Sequence, residues 1–437
     1  MGKSYPRRRR EGIVRAVTGT TPPAAPAPQP ASPRASQLAP DTDPRRWRML
    51  ALLALAEVLG MCAWFAGNAV APSLAAEWGL TPSEVGGLTT AVQLGFVFGT
   101  AVIAVANLAD IVPARALYAV CAILAAAANA ALLGANGYSV ALMTRFATGA
   151  FLAGVYPPVM KMAATWFRAR RGLAVGTVVG ALTVGKALPY LLKSFPALTA
   201  THIVLSASAA AVIAAAFVWL EYRDGPYAFP SPRFSWTLVR DVLHGRRYRL
   251  ALGGYLGHMA ELYSYWTWIP AFLAASAMAR SGTTSSWVNL LAFATVAIGG
   301  AGCVWGGLVA DRIGRARLTI VAMAASGACA LLVALSFGAS WFIMTPLALA
   351  WGFFVIADSA QFSVLVTESV PPHAVGTALT MQTSLGFLLT TITIQLVPPV
   401  VDAASWSAAF AMLAVGPVLG IWSIARLMRE PKTDAAR

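Results

Sequence analysis

Between residues 49 and 427 the chain alternates twelve apolar stretches, each 21 to 27 residues long, with short polar connections. A run of about 20 apolar residues crosses the hydrocarbon core of a bilayer as one α-helix. In lipid every backbone N–H and C=O must be satisfied within the chain, which leaves helices as the form for such runs. The stretches lie at 49–72, 84–107, 114–134, 139–163, 172–195, 200–221, 250–276, 285–309, 318–338, 341–366, 374–400 and 404–427. A content of 58% hydrophobic and 11% charged residues excludes a water-soluble enzyme with a single anchor. The expected fold is therefore an all-α membrane protein with twelve transmembrane helices.

The net charge of +15 would point to nucleic acid in a soluble domain. Here the distribution of charge gives another meaning. Of the 32 Lys and Arg residues, 27 lie in the two tails and in alternate loops. The opposite loops hold only Lys193 and Arg280, and Arg145, Lys161 and Lys186 fall within spans. Basic loops stay in the cytoplasm, so both termini are expected there, in a protein integral to the plasma (inner) membrane with no nucleic-acid partner. Residues 1–46 carry Arg7 to Arg10 and a Pro/Ala-rich run that cannot build a core, and read as a disordered cytoplasmic tail. The Arg cluster stands far from the first apolar run, against a signal peptide; a start near Met49 is an alternative. Cys62, Cys121, Cys303 and Cys329 are isolated in apolar surroundings and form neither a disulfide framework nor a zinc site.

A basic segment at 222–249 divides the spans six and six. Glu57 in span 1 recurs as Glu261 in span 7, and Asp110 after span 2 recurs as Asp311 after span 8. The chain accordingly reads as a tail (1–46), a first bundle (47–221), a linker (222–249), a second bundle (250–428) and a short tail (429–437), the parallel-repeat plan of a large transporter class.

Ionisable groups inside spans are costly and mark function by default. Glu57, Trp64 and Asn68 share a face of span 1; Tyr255, His258, Glu261, Tyr265 and Trp268 form a stripe on span 7, where His258 beside Glu261 makes a proton relay plausible. Asp358, Gln361 and Glu368 share a face of span 10. Lys186, Tyr190 and Lys193 follow one face of span 5, which attracts anions if it turns inward. Lys161 is expected to snorkel. Arg145 and Glu57 lie at levels within about 10 Å of each other, an expected pairing. In span 5, Gly180 to Lys186 spells a phosphate-loop pattern, but Ala187 replaces the magnesium-binding hydroxyl residue and no strand precedes it. The recurrence of Gly172, Gly176 and Gly180 predicts close helix contact instead. Thr81 to Glu84 reads as a helix-start box. Gln382, Thr383, Thr390, Thr391 and Gln395 supply span 11 with hydrogen-bonding groups for a substrate or a neighbouring helix.

The loop Gly307-Leu308-Val309-Ala310-Asp311-Arg312-Ile313-Gly314-Arg315 resembles the G-x-L-x-D-R-x-G-R motif of the major facilitator superfamily, and Arg145 to Gly149 resembles its fourth-helix R-x-x-x-G pattern. The first-half loop keeps Leu108-Ala109-Asp110 but has Ile111, Pro113 and Ala114 where the family has Arg, Gly and Arg. The resemblance implies two six-helix bundles that rock about a midplane site, with Asp110, Asp311, Arg312, Gly314 and Arg315 as gating loops. It also implies proton coupling through Glu57 or Glu261, with His258 and Asp358 as further candidates and Arg145 tuning Glu57. Lys186 would orient substrate, with Arg145, Asn68, Trp64, Tyr265 and Gln361 as its companions.

The expected function is proton-coupled transport of a small organic anion or zwitterion by a monomer, with no enzymatic activity, cofactor or metal. Its alternatives are a proton-coupled drug exporter, opposed by Gly180-Ala181 in place of the antiporter Gly-Pro, and a non-transporting receptor or scaffold. A nitrate porter is disfavoured by the lack of Arg in spans 2 and 8.

Overall fold

A computed structural model of the protein describes residues 43–167, 170–227 and 236–431, with the side chains of 109, 110, 171, 236 and 372 outside that description. Most of the expected tail, residues 1–42, therefore lies outside the described residues, as does the Asp110 side chain.

Among the described residues all regular structure is helical. Eleven helical segments are long and apolar enough to cross a bilayer: span 1 (Arg45–Trp78), span 2 (Pro82–Val105), span 3 (Ala114–Gly134), span 4 (Tyr138–Ala164), span 5 (Gly172–Lys193), span 6 (Ala200–Glu221), span 8 (Ser286–Ile313), span 9 (Arg315–Leu335), span 10 (Trp341–Thr367), span 11 (Val375–Ala403) and span 12 (Trp406–Leu427). Span 7 is the unbroken 36-residue helix Arg246–Ser281. It is about 54 Å long at 1.5 Å per residue, and polar groups such as His258, Glu261 and its tyrosines keep it out of the apolar class. Those same residues are buried in the bundle rather than turned to lipid. Lipid-facing positions are apolar instead, Leu335 being 83% and Phe342 93% exposed.

Local sequence explains several boundaries. Thr81 accepts a hydrogen bond from the Glu84 amide while the Glu84 carboxylate accepts one from the Thr81 amide at 2.8 Å, the reciprocal box expected at the start of span 2. Span 4 breaks at residues 153–155, directly before Pro157 and Pro158, which lack amide hydrogens and obstruct a continuing helix. Span 1 breaks at Met61 and span 10 at Asp358. The basic linker is not all loop: its described part holds the helix Trp236–His244, which buries Val242, and span 7 begins at Arg246, within the segment assigned to the linker.

An even number of spans brings residues 45 and 427 to one face, here the terminal face, where Arg48 pairs with Glu221 and Arg246 with Glu430, each at 2.9 Å. The two halves meet along two seams. In one, the glycine stripe of span 5 lies on span 8: a Cβ at Gly180 would stand 2.8 Å from the Gly300 carbonyl, one at Gly176 2.8 Å from the Cys303 carbonyl, and one at Gly172 3.6 Å from the Gly307 carbonyl. In the other, spans 2 and 11 meet toward the far face, where Thr390 donates to Gln93 and Gln395 donates to Thr90 at 3.2 Å. Toward the terminal face the same two spans part around a cavity of about 150 Å³ lined by Thr100, Lys161 and Thr380.

The Asp311 loop turns sharply at Gly314, whose φ of 91° is open to glycine at little cost. Arg315 bonds Glu368 at the end of span 10 at 2.9 Å and lies 3.9 Å from Asp311, while Arg312 is exposed. These contacts tie spans 8, 9 and 10 together within the second half.

Candidate functional site

Where the halves face each other, spans 1, 4, 5, 7, 10 and 11 enclose a cavity of about 60 Å³, lined by Trp64, Tyr156, Lys186, Tyr255, Tyr263, Trp266, Ser359, Ser363, Gln382 and Phe387 among others. It has room for only a few waters. Trp64 Nε1, Trp266 Nε1 and Gln382 Oε1 are buried polar atoms on these lining residues that lack a hydrogen-bond partner. Such atoms are rare in a folded chain and call for a ligand or water.

Lys186 is the cation of this cavity and is fully buried. Its ammonium donates to the Tyr263 hydroxyl and lies 3.9 Å from the Trp64 ring centroid, 4.6 Å from that of Tyr263 and 5.1 Å from that of Trp266. A ring face is worth about 2 kcal/mol or more to a desolvated cation, and burying a lone ammonium costs several kcal/mol. Three rings and a hydroxyl are thus of the size needed to hold it. Trp64 comes from the first half, and Tyr263 and Trp266 from the second, so the cage is completed only where the halves meet.

Glu57, also fully buried, interacts electrostatically with Lys186, yet neither carboxyl oxygen has a hydrogen-bond partner. The expected Glu57–Arg145 pair does not form. Arg145 donates instead to the Ala63 carbonyl at 3.1 and 3.2 Å, to the Trp64 carbonyl, and to Asn129 Oδ1 at 2.9 Å. Residue 67 explains why: a Cβ there would stand 2.6 Å from Arg145 Nε, so Gly67 leaves the groove through which the guanidinium reaches the backbone of span 1. Arg145 is fully buried and does not line the cavity.

In the second half, Glu261 is separated from the relay expected of it. Its two oxygens accept from Ser326 Oγ at 2.9 Å and Trp351 Nε1 at 2.8 Å, fastening span 7 to spans 9 and 10. His258 turns to Asp358, with Nδ1 2.9 Å from Oδ1 and both side chains 1% exposed. The approach is a close contact and not an aligned hydrogen bond, for both Asp358 oxygens and His258 Nε2 lack hydrogen-bond partners. Three further expected substrate contacts do not line the cavity. Asn68 donates to Thr89 of span 2, Tyr265 packs at a 42° tilt against Trp351 with ring centroids 4.4 Å apart, and Gln361 is buried without lining the cavity.

The cavity face of span 7 is Tyr255, Met259, Leu262, Tyr263 and Trp266. Except for Tyr255, it is rotated by roughly 130° from the stripe through His258, Glu261, Tyr265 and Trp268, at about 100° per residue. The period of this second stripe was present in the sequence, but it carries no formal charge to single it out. Tyr156, Ser359, Ser363 and Phe387 were missed for the same reason. Asn129 as the partner of Arg145 had no local signal at all.

The sequence model of the Major Facilitator Superfamily matches residues 53–394. No curated protein sequence matches the chain. The crystal structure of the human organic anion transporter MFSD10 (TETRAN) superposes with a TM-score of 0.65 at 14% identity, covering 87% of this chain and 100% of that one. A bacterial homolog of the human lysosomal transporter Spinster, in an inward-facing and occupied conformation, gives a TM-score of 0.65 at 14% identity over 89% of this chain and 97% of its own. At that identity the likeness is one of fold.

Proposed function

The chain belongs to the Major Facilitator Superfamily, and from that membership we propose that it is a secondary transporter which moves a small organic anion or zwitterion by alternating access, coupled to protons. The observation that carries this reading is Lys186, a buried cation in the cavity between the halves with no carboxylate bonded to it. A carboxylate entering the cavity finds one positive charge and the unpartnered groups of Trp64, Trp266 and Gln382. Glu57, without a hydrogen-bond partner and within the field of Lys186, is the first candidate for the proton, and the His258–Asp358 pair the second. Glu261 ranks below them because both of its oxygens are used in packing the second half.

The distribution of basic residues supports cytoplasmic termini, so that the far-face contacts of spans 2 and 11 would close the outer side. Export of cationic drugs is the weaker reading: the aromatic faces that would take a cation already hold Lys186. A non-transporting scaffold would have no use for charged groups buried between its halves.

Purified protein in liposomes, offered acetate, lactate, benzoate and ethidium under an imposed pH gradient, tests the reading. Gradient-driven flux of an anion is expected, lost in Lys186→Ala and altered in its pH dependence in Glu57→Gln. Ethidium flux alone would favour the exporter, and no flux of any probe would tell against transport of either class.

A further inference from the structure

A carrier whose substrate site holds a bare cation cannot close empty at little cost, because closing strands the charge in a medium of low dielectric constant. Such a carrier crosses only when loaded and is confined to exchanging one substrate for another. In this protein the charge is covered by the chain's own groups: Tyr263 and Trp266 of span 7 close over Lys186 of span 5, opposite Trp64 of span 1. Glu57 acts on Lys186 from a distance but makes no hydrogen bond to it, so its carboxylate is not the cover.

We propose that Tyr263 and Trp266 are the counterpart of Lys186 when no substrate is bound, so that the empty carrier closes and the protein performs net transport rather than obligatory exchange. This rests on the reading of Lys186 as the substrate's anchor. The two occupants of the ammonium alternate. A carboxylate takes the place of the Tyr263 hydroxyl and draws the ammonium off the rings; when it leaves, the rings and the hydroxyl take the ammonium back. One cation per cavity also fixes the favoured cargo as a monovalent anion, since a second carboxylate would meet aromatic and uncharged walls in place of another positive group.

The test compares two modes of flux in liposomes with radiolabelled lactate and benzoate as probes: net uptake into vesicles containing neither, and exchange into vesicles preloaded with the same compound. The wild type is expected to show both. Trp266→Leu is expected to lower the ratio of net uptake to exchange about thirtyfold, the factor for losing one desolvated ring contact. Tyr263→Phe, which keeps a ring and removes the hydroxyl, is expected to lower it less and guards against a misfolded leucine variant. A wild type that exchanges but shows no net uptake overturns the proposal, as does an unchanged ratio in both variants, while anion transport itself would stand. Absence of flux in either mode would instead remove the anion reading on which the proposal rests.

Discussion

At the scale of single residues, the buried charges of this protein divide into those held by the fold and those left for chemistry. Arg145 belongs to the first group: three acceptors from spans 1 and 3 receive its guanidinium. Removing it would leave the buried side chain of Asn129 short of a partner, at about 1–3 kcal/mol for each group left unsatisfied. Arg145→Ala is therefore expected to lower thermal stability in detergent markedly, whereas Glu57→Gln, which breaks no hydrogen bond, is expected to change it little. The effects of the two substitutions should add, since the residues do not pair. A large non-additive term in the double variant would restore the ion pair that span positions alone suggest. That pair was a fair inference from depth and charge, and it failed for a reason that sequence spacing does not carry. Gly67 opens a path to backbone carbonyls, which outnumber side-chain acids as partners for a guanidinium. Span 7 teaches the same lesson, as charge drew attention to the His258–Glu261 face while the cavity is lined by the uncharged aromatic face beside it.

At the scale of helices, the number and order of the spans were legible because a bilayer leaves the chain few options. The glycine recurrence in span 5 was legible as a contact surface, but its partner, span 8, was not, because periodicity describes one helix at a time. Glycines in the two kinds of seam are expected to respond differently. Within the first half, a Cβ at Gly95 would strike the Phe146 carbonyl, and one at Gly149 the Val92 carbonyl. Gly95→Ala is thus an overpacking change, expected to cost about 1–3 kcal/mol of stability. Gly180→Val acts between halves, where the added side chain would hold spans 5 and 8 apart at Gly300. It is expected to leave the melting temperature nearly unchanged and to reduce flux about tenfold or more, since each bundle stays intact while its closure against the other is blocked. Normal flux in this variant, measured at equal reconstitution, would show that the span 5 and span 8 seam opens freely during transport.

At the scale of the whole molecule, the polar contacts at the two faces differ in kind. Toward the terminal face the Arg315 contacts run within the second half, to Asp311 and Glu368, so breaking them loosens a bundle before it opens a gate. Toward the far face the hydrogen bonds of Gln93 with Thr390 and Thr90 with Gln395 cross directly between halves. At about 0.5–1.5 kcal/mol net for each, two such bonds are worth roughly 1–3 kcal/mol of preference for far-face closure, or about 5- to 150-fold in population. Thr390→Ala combined with Gln395→Ala should remove that preference while leaving the terminal-face contacts in place. The expected readout is the reaction of a single cysteine at position 382, in a variant whose four native cysteines are replaced, with a membrane-impermeant thiol reagent supplied from the far side. Gln382 lines the central cavity, so its reaction rate reports how far that cavity opens to the far side. An increase of several-fold or more in that rate, with no increase from the terminal side, is the expected outcome. Equal rates before and after the substitutions would mean that far-face closure is held by the packing of Trp268 against Gly86 and owes nothing to the hydrogen bonds.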